Sequence, residues 1–243
     1  VDQATNHLGQ PIGAPLPGWT ARPRPPRTPM QGRLCRIEAL DAARHAAGLH
    51  QAYARDLEGR NWTYLPYGPF ATSAAYARWV ESVESRDDPL FYVILDAATQ
   101  RPLGVASYLR IDPAMGTIEV GHLNYAPELQ ATAAATQAMY LMMRRAFDEL
   151  GYRRYEWKCD SLNAPSRAAA QRLGFCYEGT FRQAVVMKER NRDTAWFSIT
   201  DAEWPAIRAA LEGWLAPSNF DAAGGQRRRL AEFMERAPDR RSR

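Results

Sequence analysis

The chain has 243 residues, 46% of them hydrophobic and 24% charged, a length that suits one large domain with extensions. No apolar run approaches the roughly 18 residues of a membrane span, VDQATNHLGQ lacks the features of a secretory signal, and Cys35, Cys159 and Cys176 are too few and irregular for a disulfide framework or zinc site, so the expected location is the cytoplasm. The formal net charge of +4 sits at the ends: residues 226–243 carry +4 and residues 1–30 carry +2, which leaves the body slightly acidic and gives no sign of a nucleic-acid-binding core.

Seven of the seventeen prolines fall in the first 30 residues, so residues 1–32 read as an extended proline-rich arm, either loose or packed through Leu16 and Trp19. RLCRIEAL (33–40) alternates as a strand, and Asp41 caps a helix to about Arg55. An aromatic loop, WTYLPYGPF (62–70), is broken by Pro66, Gly68 and Pro69. Thr72 or Ser73 then caps a helix carrying Tyr76, Trp79, Val80 and Val83. Strands follow at 90–97, 102–111 and 117–125, then a Met-rich helix, a strand at 153–160 and a short helix from Ala164 to Leu173. Two strands, Phe175–Met187 and Thr194–Thr200, precede a last helix and a basic tail within residues 202–243. That tail reads as a solvated, partly helical extension or a contact for RNA or an acidic partner. The order β–α–α–β–β–β–α–β–α–β–β predicts an α/β (α+β) fold: a mixed, mostly antiparallel sheet of about seven strands flanked by helices.

One stretch organises the rest. TIEVGHLNY alternates as a strand, with Ile118, Val120 and His122 on one face and Glu119, Gly121 and Leu123 on the other. A loop of polar and small residues from Glu128 to Ala134 leads into helix positions Ala135, Ala138, Met139, Met142, Ala146 and Leu150. A strand, a small-residue loop and a helix N-terminus make a phosphate site, because the first helical amides lack partners and the dipole favours an anion. Downstream stand Asn163-Ala-Pro-Ser166 and Gln171-Arg172-Leu173-Gly174-Phe175.

This order and these motifs resemble the GNAT superfamily of acyl-CoA-dependent N-acyltransferases, over residues 33–201. Asn-x-x-Ser followed by Leu-Gly-Phe is similar to the ribosomal-protein-alanine acetyltransferase (RimJ/RimL-like) branch. In the family, loop amides hold the CoA pyrophosphate. The resemblance places that role on Gln130, Ala131, Thr132, Ala133, Ala134 and Ala135, with Ala133 standing where the family has a glycine. It implies that Leu123, Asn124 and Tyr125 offer backbone groups to the thioester arm, where this strand splays from its parallel neighbour. It also implies that Asn163 binds pantetheine and that Ser166 lies near the sulfur. Many members carry a general-acid tyrosine where this chain has Ala170, which makes Ser166 the remaining candidate acid.

Amine acetylation requires a neutral amine, a polarised carbonyl and a proton for the leaving thiolate. Glu119, at the spacing of the strand carboxylate in histone-type members, reads either as the base or as a glutamate paired with a basic neighbour. His122 is a second titratable candidate, with an ordinary pKa of about 6.5; by alternation it falls on the face opposite Glu119, which favours a structural reading. Trp62, Tyr64 and Tyr67 are candidate acceptor-wall residues or anchors of their own loop. The resemblance implies acetyl-CoA as donor and a primary amine, small or protein-borne, as acceptor. It calls for no metal and is compatible with a homodimer. Succinyl-CoA or another acyl-CoA is an alternative donor, and a CoA-binding regulatory module with little catalysis is the alternative function.

Overall fold

The computed structural model describes residues 4–235. In chain order its elements are β1 (Met30–Gln31), β2 (Cys35–Ala39), α1 (Ala42–Tyr53), α2 (Ser73–Val83), β3 (Leu90–Asp96), β4 (Pro102–Asp112), β5 (Thr117–Tyr125), α3 (Ala133–Arg144), β6 (Arg154–Asp160), α4 (Ala164–Arg172), β7 (Cys176–Met187), β8 (Arg190–Thr200), α5 (Trp204–Leu215) and α6 (Leu230–Met234). The strands form one sheet in the order β1-β2-β3-β4-β5-β6-β8-β7. Only β5 and β6 run parallel; the other pairs are antiparallel. The seven expected strands are present, and the two-residue β1 adds an eighth.

Side-chain caps set the helix starts. Asp41, Thr72 and Thr132 accept hydrogen bonds from the amides of Arg44, Ala75 and Ala135, each worth about 1 kcal/mol. Strand β3 is buried from Leu90 to Leu95, the pattern of a strand covered on both faces. Phe91 meets Trp79 of α2 on one face. On the other face Tyr92 meets Tyr108, whose hydroxyl donates to the Met142 carbonyl of α3. Helices α1 and α2 therefore cover one side of the sheet, and α3 covers the other. Helix α5 packs beside α3, where Tyr140 donates to Glu212 and stacks on Trp204.

From Trp19 onward the N-terminal arm is docked. Trp19 donates its indole N–H to the Ala114 carbonyl at 2.8 Å, and the Arg22 guanidinium lies 4.2 Å above its ring. A proline-rich arm has few N–H donors but keeps its carbonyls. Here those carbonyls are met by side chains from the domain: Tyr152 donates to Pro23, Tyr92 to Pro26, and buried Arg145 to Thr28 and Pro29. Leu16, the other expected anchor, is exposed. At the C-terminal end, residues 226–235 are mostly exposed and include the short α6, as expected of a solvated, partly helical extension, and the segment before them is tied down. Buried Asn219 donates to the carbonyls of Trp214 and Arg228 and accepts from the Arg228 amide. Helix α6 then lays Phe233 against Gly213 of α5. The rest of the basic tail, residues 236–243, lies outside the described residues.

The arm grips the β4–β5 turn, at the end of β5 remote from α3. Trp19→Ala is expected to lower stability by about 1–2 kcal/mol, or roughly 3–6 °C in Tm. Thermal melts of the variant check this.

Candidate active site

Strands β5 and β6 pair in register from Thr117↔Arg154 to Val120↔Trp157 and then stop. The cause lies on the other side of β5. Val105 pairs with Asn124 while Ser107 pairs with Gly121, so His122 and Leu123 together face Ala106 in a β-bulge. His122 takes a left-handed backbone, φ +52°. β6 meanwhile stays paired with β8 as far as Asp160↔Thr194. A wedge opens between Leu123–Tyr125 and Lys158–Asp160.

The floor of the wedge is fixed by side chains. Tyr53 donates to the Asn124 carbonyl at 2.9 Å, and Asn61 and Gln130 both donate to the Tyr125 carbonyl. Gln130 also donates to Asn61 Oδ1, so its amide joins the loop to its neighbour. Within the loop, Ala131 carries the left-handed conformation, φ +57°, and Thr132 is the N-cap. Ala133 is the first residue of α3 and needs no positive φ. The freedom expected of a glycine at 133 is thus used two residues earlier. Among the described residues, the amides of Thr132, Ala133 and Ala134 have no hydrogen-bond partner, whereas that of Ala135 is capped by Thr132.

Across the wedge, Asn163 caps α4 by accepting from the Ser166 amide. The Ser166 hydroxyl accepts from the Trp157 indole at 3.0 Å, which leaves its own hydrogen free to donate. Cys159 is buried nearby, and burial raises its thiol pKa. Ala170 is fully buried and its carbonyl accepts from the Phe175 amide.

On the α1–α2 side the sheet carries charge. Glu119 is 3% exposed and ion-paired with Arg110 at 2.7 Å and Lys158 at 2.9 Å. Burial raises its pKa, opposed by these two cations. Lys158 also pairs with Glu156 and lies 3.7 Å above the Trp196 ring. Arg110, Lys158, Glu156 and Trp196 border an open cavity of about 490 Å³ that also touches Asp88 and Thr117. Glu119 thus has the basic neighbours that one of its two readings expects.

His122 departs from the alternation. The bulge turns its ring to the face that also carries Gly121 and Glu119, where it stacks on Tyr67 and meets Phe91. Of the aromatic loop residues, Tyr67 therefore reaches the wedge. Tyr64 is placed across its mouth, donating to the Leu162 carbonyl at 3.3 Å. Trp62 is core: it packs on Tyr53, Phe70 and Tyr76 and anchors the loop.

A family model described as an acetyltransferase (GNAT) domain matches residues 35–176. The chain belongs to the GNAT acetyltransferase family. The structure is similar to that of a GCN5-related N-acetyltransferase from Brucella melitensis, with a TM-score of 0.88 and 46% identity over 90% of this chain and all of that one. A GNAT-family protein from Chromobacterium violaceum ATCC 12472 superposes with a TM-score of 0.75 and 43% identity, over 81% of this chain and 98% of that one. A sequence relative is YdaF of Bacillus subtilis (strain 168), which carries the provisional name of a ribosomal N-acetyltransferase. It is 28% identical over 101 residues, and the match spans 42% of this chain and 55% of YdaF.

Within this GNAT domain, the sequence pointed to the loop, Asn163 and Ser166 but not to Trp157, Tyr53 or Asn61. Alternation in RRYEWKCD puts Trp157 on the face of Tyr155 and Cys159, a signal for its place beside α4. Nothing local marks Tyr53 or Asn61. No group of metal-binding side chains occurs among the described residues, and no helix there is long and apolar enough to cross a membrane.

Burial, reinforced by Arg110 and Arg192, lowers the His122 pKa from 6.5 to about 4. The unfolded chain therefore binds a proton between these values that the folded chain does not. This part of the stability is present above pH 6.5 and is lost as pH falls toward 4. Thermal melts across this window should show a shallower slope for His122→Asn than for the wild type.

Proposed function

We propose that this chain is an acyl-CoA-dependent N-acetyltransferase, moving an acetyl group from acetyl-CoA to a primary amine by direct attack on the thioester. The observation that carries this reading is the wedge between β5 and β6 opening beside the unpartnered amides of Thr132, Ala133 and Ala134. A pyrophosphate suits those amides and the positive end of α3. The thioester arm then runs along Leu123–Tyr125, with Asn163 on the far wall and its Nδ2 still free for a pantetheine carbonyl. Ser166, with Trp157 on its oxygen, donates the proton that the departing thiolate needs. Glu119 acts through its ion pairs, holding Arg110 and Lys158 beside the acceptor, and Tyr64 and Tyr67 wall that side. The acceptor is a small amine or a protein N-terminus. The ribosomal assignment in the name of YdaF supports the latter, over the part of YdaF that matches.

Acetyl-CoA at a hundredfold excess over its Kd is expected to raise Tm by about 5–10 °C. A panel of primary amines should release free CoA thiol, and Ser166→Ala should lower kcat by about 10–100-fold with little change in KM for acetyl-CoA. A thermal shift with no thiol release from any amine would instead favour a CoA-binding module without catalysis.

A further inference from the structure

Several titratable side chains at the wedge, Tyr67, Tyr125 and His122, have no hydrogen-bond partner among the described residues, and His122 is the one that can serve as a base near neutral pH. Neither nitrogen of His122 forms a hydrogen bond with a described residue. Nδ1 is sealed from solvent, so Nε2 is the nitrogen that opens outward. The ring is held in place by stacking alone, 5.6 Å from Tyr67 at an interplanar angle of 16° and 4.9 Å from Phe91. Its backbone sits at the bulge, two residues past the last β5–β6 pair and directly before Leu123–Tyr125. Glu119, three residues earlier on the same face, has both Arg110 and Lys158 on its carboxylate. Both carboxylate oxygens of Glu119 are thus engaged by cations, whereas His122 Nε2 is engaged by no described residue and can accept from a group in the wedge.

We propose that His122 is the catalytic base, taking the proton from the acceptor amine; the assignment rests on the acetyl-transfer reading above. In the step, the amine nitrogen bonds to the thioester carbonyl carbon and the C–S bond breaks. The nitrogen's proton passes to His122 Nε2, and the CoA sulfur receives one from the Ser166 hydroxyl. Solvent then returns a proton to Ser166 and removes one from His122. The charged and titratable groups around the imidazole are Arg110 on β4, Arg192 on β8, Lys158 on β6, Glu119 on β5 and Tyr67 on the aromatic loop. Burial first, and then the two arginines, favour the neutral ring, so Nε2 carries a free lone pair at neutral pH. The amine need not be less basic than imidazole, because its nitrogen becomes strongly acidic as it bonds to the carbonyl carbon.

The test uses the full chain and the best amine from the panel. Glycine is at ease at φ +52°, so His122→Gly removes the ring while suiting the backbone and leaves an imidazole-sized gap between Tyr67 and Phe91. The expected result is a fall in kcat of about 10²–10⁴-fold, an unchanged acetyl-CoA Kd, and recovery with added imidazole. Among substituted imidazoles, recovery should rise with basicity, which a merely structural role would not produce. Activity retained within about threefold of wild type would overturn the proposal. So would a loss that no imidazole restores in a variant that still binds acetyl-CoA. If His122→Gly does not fold, His122→Asn, whose side chain tolerates left-handed backbone, replaces it: lost kcat at an unchanged Kd supports the base and retained kcat overturns it. A wild-type chain that acetylates no amine would remove the transfer reading itself, a result distinct from either.

Discussion

The site depends on a ladder that ends early. β5 and β6 share four in-register pairs and then part, because one extra residue in β5 has been absorbed against β4. A parallel pair left to itself would continue, since each unpaired backbone group near the core is unfavourable. Two devices hold it open. The bulge bends β5 away, and the carbonyls beyond it are taken up by Tyr53, Asn61 and Gln130. Those three side chains come from α1, the segment after it and the loop before α3, so the geometry of the wedge is set by elements far apart in the chain.

Where the strands still pair, their α1–α2 face is bound by charge rather than by apolar packing. Glu119 on β5, Lys158 and Glu156 on β6, and Glu178 on β7, reached through Arg154, form a continuous series of ion pairs across the sheet. Buried charges such as Glu119 and Lys158 are tolerable only because each has its partner, and removal of one would strand the other. Geometry, not net attraction, is what such a network supplies. It fixes the edge of the wedge next to the bulge, where a displacement of an ångström would move reacting groups out of line.

The architecture was legible in the sequence because it rests on periodicity and caps. Strand alternation, Asp41, Thr72, the Met-rich helix and the Leu173-Gly174-Phe175 stop are local signals, and the helices and strands they mark are present. The family was legible for a related reason: Asn163 and Ser166 lie three residues apart on one short helix start, so their chemistry survives as a motif. The face of His122 was not, because alternation assumes an unbroken ladder and a bulge shows itself only against its partner strand. Trp62 illustrates a second limit. A tryptophan in a Pro/Gly-rich loop has the same local signature whether it walls a cavity or fills a core, and Tyr53, Phe70 and Tyr76 decide between them. The tether of the tail was not legible, because it rests on one neutral residue upstream, Asn219, whose hydrogen bonds fold the segment back.

The two ammonium groups seen in the ion pairs and loop contacts are also the chain's only lysines; all other basic residues among the 31 Lys and Arg are arginine. Lys158 is enclosed by two carboxylates and an indole. Lys188 directs its ammonium to the carbonyls of Trp62 and Gly68, joining the β7–β8 hairpin to the aromatic loop. Guanidinium groups stay protonated and do not act as nucleophiles toward a thioester. Both lysine amines of this protein are therefore engaged, and neither is free to attack an activated acyl group.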